Sequence, residues 1–311
     1  MFVLSAVSSA ITFVVQQRSL VVASLERWPV HIRAVNAIGC YWDYVAKMLY
    51  PKGLAIQYPF PEKLTFNSAA LAVMGVAVLL VLWGRGRRWL VVGLLWYLGT
   101  LVPVIGLVQV GWQMMADRYT YLPSIGIFII IAWGAEEIFT KKRYPKWMLA
   151  SVAAAALIAI VLITKIQTGY WRNTDTLYKH TLAATKNNYI ILNSYGQYLC
   201  QQGKYKEGIP YFWEALSIKP NYIPASDNIC VAFLGQNKLD EAISCFTEFL
   251  QKEKHWPELY RTHFNLGLAY EQKGNFAEAE SNYRKALELN PNCYAAREAL
   301  SAVQARQDKS P

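Results

Sequence analysis

Acidic residues are scarce in the first part of this 311-residue sequence. Residues 1–170 contain six Asp and Glu against fifteen Lys and Arg. Residues 171–311 contain fifteen Asp and Glu against sixteen Lys and Arg. The net charge of +10 therefore comes almost entirely from the first part. The basic residues lie in connectors beside apolar runs, where positive charge faces anionic headgroups. This placement argues against nucleic acid as a partner.

Histidine and cysteine are also few, with four and five residues. The histidines follow no catalytic motif, and the cysteines show neither a CxxC pair nor a zinc-ligand spacing. We therefore expect no metal, no cofactor and no catalytic residue in this chain. The cysteines are interpreted as small packing residues, with a Cys230–Cys245 bridge as the alternative in an oxidising compartment.

Long apolar runs predict membrane-spanning helices, because a bilayer core of about 30 Å needs roughly 20 apolar residues per helix. The predicted spans are residues 1–16, 67–83, 89–110, 121–139 and 147–166. The first run is short and has no charged region before it, so we expect a span whose true start lies upstream of Met1.

Charged connectors predict the orientation of these spans. Arg85, Arg87 and Arg88 precede the third span, and residues 141–146 carry four more basic side chains. Both connectors are expected in the cytoplasm by the positive-inside bias. Alternation then predicts that the loop 111–120 and everything after residue 170 lie on the periplasmic, lumenal or extracellular side.

Residues 29–51 mix charged, aromatic and apolar side chains. We expect a helix over about 31–50 that lies in the outer membrane interface, since charges at mid-bilayer cost at least about 2.5 kcal/mol each. A spanning helix is the alternative. Asn36, Tyr41, Tyr44 and Lys47 recur at helical spacing and share one face. That face is predicted to line a groove, or alternatively to anchor the helix among headgroups.

An internal repeat occupies the second part of the chain. Gly196 aligns with Gly267, Phe212 with Tyr283 and Pro220 with Pro291, and Cys230 falls at the matching place between them. Small residues where two helices approach, and a proline after the second helix, are typical of the tetratricopeptide repeat (TPR). Three repeats are predicted at 189–222, 223–256 and 260–293, with a leading half-repeat at 171–188 and a capping helix at 294–307.

The predicted fold is therefore all-α: a polytopic transmembrane helix bundle over residues 1–168, followed by an α-solenoid of TPR helix pairs. The first helix of each repeat is expected to face a concave groove. The predicted groove residues, on a face that binds a protein or peptide ligand, are Asn193, Gln197, Asn228, Asn265 and Gln272. Asn228 and Asn265 occupy equivalent places and are expected to hydrogen-bond a peptide backbone; the alternative is a solvated face.

Three segments in this order carry a family resemblance: residues 36–61, 114–128 and 170–182. The chain resembles membrane proteins that join a GT-C type glycosyltransferase core to C-terminal TPRs, typified by the transmembrane TPR-containing O-mannosyltransferases. The resemblance implies transfer of a sugar from a polyprenyl- or dolichyl-phosphate donor to a protein or glycan outside the cytoplasm. It also places the catalytic carboxylates in an early external loop that this sequence lacks, so we expect no autonomous catalysis.

Asp117, Arg118 and Tyr119 follow a predicted span on the outer side. An arginine fork is a natural bidentate partner for phosphate. Together with the resemblance, this position predicts a lipid-phosphate site, chiefly at Arg118. The alternative is that the two charges cap the turn while the tyrosines form an interfacial belt. At the level of the whole protein, the rival interpretation is a non-enzymatic, membrane-anchored TPR scaffold for protein–protein interaction.

Overall fold

A computed structural model describes residues 30–59, 75, 80, 87–105 and 114–307. Nearly all regular structure in these ranges is α-helical, which confirms the all-α class and the TPR helix pairs. The chain divides into two units, Met1–Lys186 and Asn187–Pro311. The predicted half-repeat at 171–188 contains one helix, which falls in the first unit.

The first unit contains five described α-helices and one 3₁₀ turn. They are α1 (Val30–Leu49), α2 (Arg88–Leu101), the 3₁₀ turn (Asp117–Thr120), α3 (Tyr121–Lys141), α4 (Lys146–Tyr170) and α5 (Thr174–Ala184). Asn173 caps α5, because its side-chain oxygen accepts a hydrogen bond from the N–H of Thr176 at 2.9 Å. Such a cap satisfies one of the free N–H groups at a helix start.

Among the described residues, two helical stretches are long and apolar enough to cross a membrane, Asp117–Lys141 and Trp147–Tyr170. The apolar window of the second is not buried at all in this chain. Such exposure is unfavourable in water and normal against lipid. The predicted spans at 1–16 and 67–83 lie outside the described residues, apart from positions 75 and 80. A polytopic bundle therefore remains a prediction.

Helix α2 is shorter than the span predicted at 89–110. It ends at Leu101, and the N–H of Val104 then donates to the carbonyl of Leu101 at 3.0 Å in a turn. Pro103 explains the end of the helix, because proline has no N–H to donate to the preceding turn.

Helix α2 packs closely on α3 through two glycines. A Cβ atom added to Gly93 would lie 2.6 Å from the carbonyl oxygen of Gly126, and one added to Gly126 would overlap the carbonyl oxygen of Gly93. Small residues at such crossings let helix backbones touch, as is common between helices in membranes. The indole N–H of Trp96 adds a hydrogen bond to the carbonyl of Leu122 at 2.9 Å.

Helix α1 packs one face into the core of the first unit. Ala37, Cys40 and Tyr44 are buried there with Tyr97 and Leu101 of α2. The Tyr97 hydroxyl donates to the carbonyl of Tyr41 at 2.6 Å. These contacts fix α1 along α2.

The second unit is a series of helix pairs with a final single helix. Its helices are α6 (Tyr189–Gln201), α7 (Tyr205–Ile218), α8 (Ile223–Gly235), α9 (Leu239–Lys252), α10 (Leu259–Lys273), α11 (Phe276–Leu289) and α12 (Tyr294–Gln307). Gly274, with φ at 87°, ends α10 in the left-handed region that glycine adopts without steric cost.

An aromatic ring lies against a glycine in the first and third pairs. A Cβ on Gly196 would be 2.7 Å from the Phe212 ring, and one on Gly267 would be 2.5 Å from the Tyr283 ring. Both rings are almost completely buried. These contacts set how closely the two helices of a pair approach each other.

The second pair replaces this glycine with Cys230, which forms a disulfide with Cys245 of α9. The interpretation of these two cysteines as simple packing residues is therefore wrong, and the bridged alternative is the observed arrangement. The helical pairing brings the two α-carbons within 5.4 Å, a normal separation for a disulfide. Cys40, Cys200 and Cys293 are free thiols.

We expect Gly126→Ala to lower the thermal unfolding midpoint of the detergent-solubilised protein, because its methyl group would overlap the backbone of α2. Overpacking of this kind costs about 1–3 kcal/mol. Gly99→Ala is the matched control, since it adds the same methyl group to α2 where nothing lies within 4 Å. Equal behaviour of the two variants would contradict the proposed close contact.

Candidate functional site

Asp117 points inward, toward the loop that follows α1. Its Oδ2 accepts hydrogen bonds from the Tyr58 hydroxyl at 2.8 Å and from the N–H of Ala55 at 3.2 Å. Burial, together with the adjacent carboxylate, raises the pKa of Tyr58 and keeps its hydroxyl a donor. Asp117 therefore holds residues 55–58 against the start of α3.

The loop 50–58 contacts several helices of the first unit. The Lys47 ammonium lies 4.4 Å from the Tyr58 ring centroid. From α4, Gln167 donates to the carbonyl of Pro51 at 2.7 Å. From α5, Thr181 accepts a hydrogen bond from the N–H of Ile56 at 3.5 Å. The loop thus connects α1, α4 and α5 at one end of the apolar helices.

Arg118, unlike Asp117, is exposed. Its guanidinium carbon lies 5.1 Å from the centroid of the Tyr119 ring, a cation–π distance. Within the described ranges, no carboxylate lies within 4 Å of Arg118. Of the predicted trio, Arg118 is exposed, Asp117 anchors the loop, and Tyr119 packs partly on the core.

The predicted groove face of α1 is packed rather than open. Asn36 and Tyr44 are buried, and the Tyr44 hydroxyl accepts a hydrogen bond from the N–H of Ala116 at 3.2 Å. The Tyr41 hydroxyl donates to the carbonyl of Leu98 at 2.9 Å. Lys47 is the one of the four that reaches the loop beside Asp117. Tyr41 and Tyr44 hold α1 to its neighbours, and Asn36 is buried.

The predicted concave-face residues join successive repeats. Asn228 donates to the Oδ1 of Asn193 at 2.9 Å, and Thr262 donates to the Oδ1 of Asp227 at 3.0 Å. Each bond links the first helices of adjacent pairs and spans 35 residues of sequence. That separation, close to the repeat period, is the signal that could have identified Thr262, which the sequence analysis missed.

Fewer side chains on this face remain open than the sequence predicts. Gln197 and Gln272 are exposed and Asn265 is half-buried. Asn193 is buried, and it and Asn228 satisfy each other. Across the part of the chain that the structure describes, no group of three or more His, Cys, Asp or Glu could hold a metal ion.

Comparisons with known proteins identify the repeat and a remote relationship. The tetratricopeptide repeat model matches residues 260–293. Protein O-mannosyl-transferase TMTC3 of Homo sapiens is 24% identical over 197 residues, which cover 58% of this chain and 21% of that protein. Protein O-mannosyl-transferase Tmtc3 of Drosophila melanogaster is 24% identical over 216 residues, which cover 65% of this chain and 23% of that protein.

Among solved structures, the first TPR domain of the human RPAP3 protein matches 40% of this chain and 97% of that domain, with 23% identity and a TM-score of 0.35. The chain is thus a TPR-repeat protein with weak similarity to O-mannosyl-transferases. It spans about a fifth of the length of the curated relatives that it matches.

We expect Asp117→Ala to expose the loop 50–58 to protease, because Tyr58 and the N–H of Ala55 would lose their shared acceptor. The N–H of Ala55 would keep its hydrogen bond to the Tyr58 hydroxyl, and that hydroxyl its contact with the carbonyl of Gly53, so the loss is of hydrogen bonds to a charged acceptor, worth about 1.5–3 kcal/mol. Tryptic cleavage after Lys52 should become several-fold faster in the solubilised protein. Arg118→Ala is the control, since its side chain is exposed. Unchanged cleavage in the Asp117 variant would refute the anchoring role.

Asp227 provides a pH-dependent test of the hydrogen bonds between repeats. Burial raises the pKa of its carboxyl, while the hydrogen bond from Thr262 opposes that rise. Because the folded pKa lies above the unfolded one, the native state binds the proton more readily, and the contribution of Asp227 to stability falls as pH rises through this interval.

Asp227→Asn keeps an oxygen that can accept from Thr262 and removes the charge. The unfolding midpoint of this variant minus that of the unmodified protein should therefore be larger at pH 7.5 than at pH 4. Thermal unfolding at the two pH values measures this difference. If the difference between the two midpoints did not change with pH, the raised pKa of Asp227 would be contradicted.

Proposed function

We propose that this chain is the C-terminal part of a GT-C type membrane glycosyltransferase, and that its repeats bind the acceptor or a partner protein. The complete enzyme would transfer a sugar, mannose by analogy with its relatives, from a lipid-phosphate donor to a protein or glycan outside the cytoplasm. The catalytic carboxylates are expected outside this chain. Its own residues would bind donor and acceptor.

The extent of the similarity carries this proposal. A match covering 65% of the chain spans about 200 residues, and any continuous stretch of that length includes residues 114–182. The second unit begins only at Asn187. The similarity therefore includes the 3₁₀ turn and helices α3 to α5, which a shared TPR array cannot explain. This supports a relationship through the membrane part as well.

Arg118 is our candidate contact for the donor phosphate. It is exposed at the start of α3, where its neighbour Asp117 is fixed by two hydrogen bonds. A fixed backbone limits the entropy lost when the side chain engages a ligand. The guanidinium can then offer paired N–H donors to phosphate oxygens.

The repeats are our candidate for acceptor recognition. Stacked helix pairs form extended surfaces that suit an extended peptide. The exposed amides of Gln197 and Gln272 can both donate to and accept from a peptide backbone. The hydrogen bonds between adjacent repeats hold these helices in register, which supports a preformed surface.

The disulfide supports a non-cytoplasmic location for the repeats. Disulfides persist in secreted, lumenal and periplasmic proteins and are rare in a reducing cytosol. The basic connector after α3 supports the same orientation, because α4 would then lead from the cytoplasm to the outer side. We propose that Asn187–Pro311 lies in the periplasm, a lumen or the extracellular space.

The donor site is tested by the binding of dolichyl-phosphate mannose to the complete, detergent-solubilised protein. Arg118→Ala should weaken binding about 10- to 100-fold, since hydrogen bonds to charged groups are worth about 1.5–3 kcal/mol. The affinity of the Arg118→Lys variant should lie between those of the unmodified protein and the Arg118→Ala variant, because lysine keeps the charge but not the paired N–H donors of arginine. Arg88→Ala, exposed on another helix, is the control.

Equal binding by the Arg118 and Arg88 variants would remove Arg118 from the site. If the complete protein bound no lipid-phosphate sugar, the glycosyltransferase proposal would fail, and the membrane-anchored TPR scaffold would replace it.

A further inference from the structure

A groove of about 520 Å³ lies within the second unit, between the first two helix pairs. Its walls come from α7, α8 and α9, and its apolar surface includes Leu216, Ile229 and Phe249. Trp213 lies on its wall with 56% of its surface exposed. A cavity of this volume is large enough for two or three side chains of a bound segment.

The groove is specified by residues in which the second repeat departs from its neighbours. Phe249 stands where the first and third repeats have Ala215 and Ala286. Cys230 stands where they have Gly196 and Gly267. Both replacements line the groove. Its lining therefore differs in sequence from the equivalent positions of the other two repeats.

Its charges favour a basic ligand. Glu248 and Glu253 contribute carboxylates and Lys252 one ammonium. In the described part of the chain, neither glutamate has a Lys, Arg or His nitrogen within 4 Å. With two carboxylates to one ammonium, the groove has a net negative charge beside an apolar wall, which complements a lysine or arginine that flanks an apolar side chain.

We propose that this groove binds a peptide segment of a partner protein, which inserts an apolar or aromatic side chain and places an adjacent lysine or arginine against Glu248 and Glu253. Trp213 is the anchor on the protein side, since exposed tryptophans are enriched among residues that dominate binding energy. This site uses different side chains from the proposed acceptor face and does not depend on the glycosyltransferase proposal.

The disulfide holds the shape of this site. Cys230 and Cys245 both line the groove and join α8 to α9. In the first and third repeats a ring lies against a glycine at this crossing, whereas here a disulfide adds a covalent link between the two helices. Binding should therefore depend on the oxidised form.

The experiment measures fluorescence anisotropy of two labelled peptides with the complete, oxidised protein in detergent. Both peptides share a central tryptophan–leucine pair, flanked by lysines in one and by glutamates in the other. The lysine peptide should bind at least tenfold more tightly. Trp213→Ala should weaken it at least fivefold, and Glu248→Gln with Glu253→Gln should remove most of the preference between peptides.

Tyr294→Ala is the matched control, because Tyr294 is an exposed aromatic residue on α12, outside the groove. It should leave both affinities unchanged. The Cys230→Ala, Cys245→Ala double variant should lose at least threefold in affinity, with Cys200→Ala unchanged. Circular dichroism of each variant separates lost binding from lost fold.

Equal affinity for the two peptides, no binding of either, or equal losses in the Trp213 and Tyr294 variants would overturn the proposal. Unchanged affinity in a folded double-cysteine variant would overturn the role of the disulfide.

Discussion

Both units depend on helices that touch where one residue has no side chain. Gly93 and Gly126 bring the backbones of α2 and α3 into contact, and Gly196 and Gly267 each make room for a ring. At each of these positions a methyl group would meet atoms closer than any ordinary van der Waals contact. Because packed interiors do not yield readily, these contacts fix where the remaining side chains lie.

In the second repeat, the two helices of the pair approach each other without a glycine at this position. There Cys230 replaces the glycine, and a disulfide closing a 15-residue separation joins the two helices. A cross-link of that span contributes about 3 kcal/mol in the chain-entropy account. With Cys230 in place of a glycine and Phe249 in place of an alanine, this repeat lines a groove with residues that differ from those of its neighbours.

In the first unit, two adjacent charged residues have different surroundings. Asp117 is tied to Tyr58 and Ala55, while Arg118, one residue later in the 3₁₀ turn, faces outward. Asp117 organises the loop, whereas Arg118 is exposed. The sequence motif favoured Arg118 as the ligand contact but did not predict that Asp117 anchors a loop, because that role depends on where residues 55–58 lie.

The sequence by itself determined the features that repeat locally: the helix pairs of the second unit, with their glycines, rings and prolines, and the apolar runs around 121–139 and 147–166. Periodicity reveals these because each helix buries one face or meets lipid all round. Only the tertiary structure decided which side chains meet across long separations. Asp117 and Tyr58 are hydrogen-bonded across 59 residues of sequence, and Asn228 and Asn193 across 35. Cys230 and Cys245 are bonded because their helices are paired. The repeat period hints at the bonds between adjacent repeats, and the sequence left the Cys230–Cys245 bridge as an alternative, but the contact of Asp117 with Tyr58 follows from how separate elements are brought together, which no local pattern encodes.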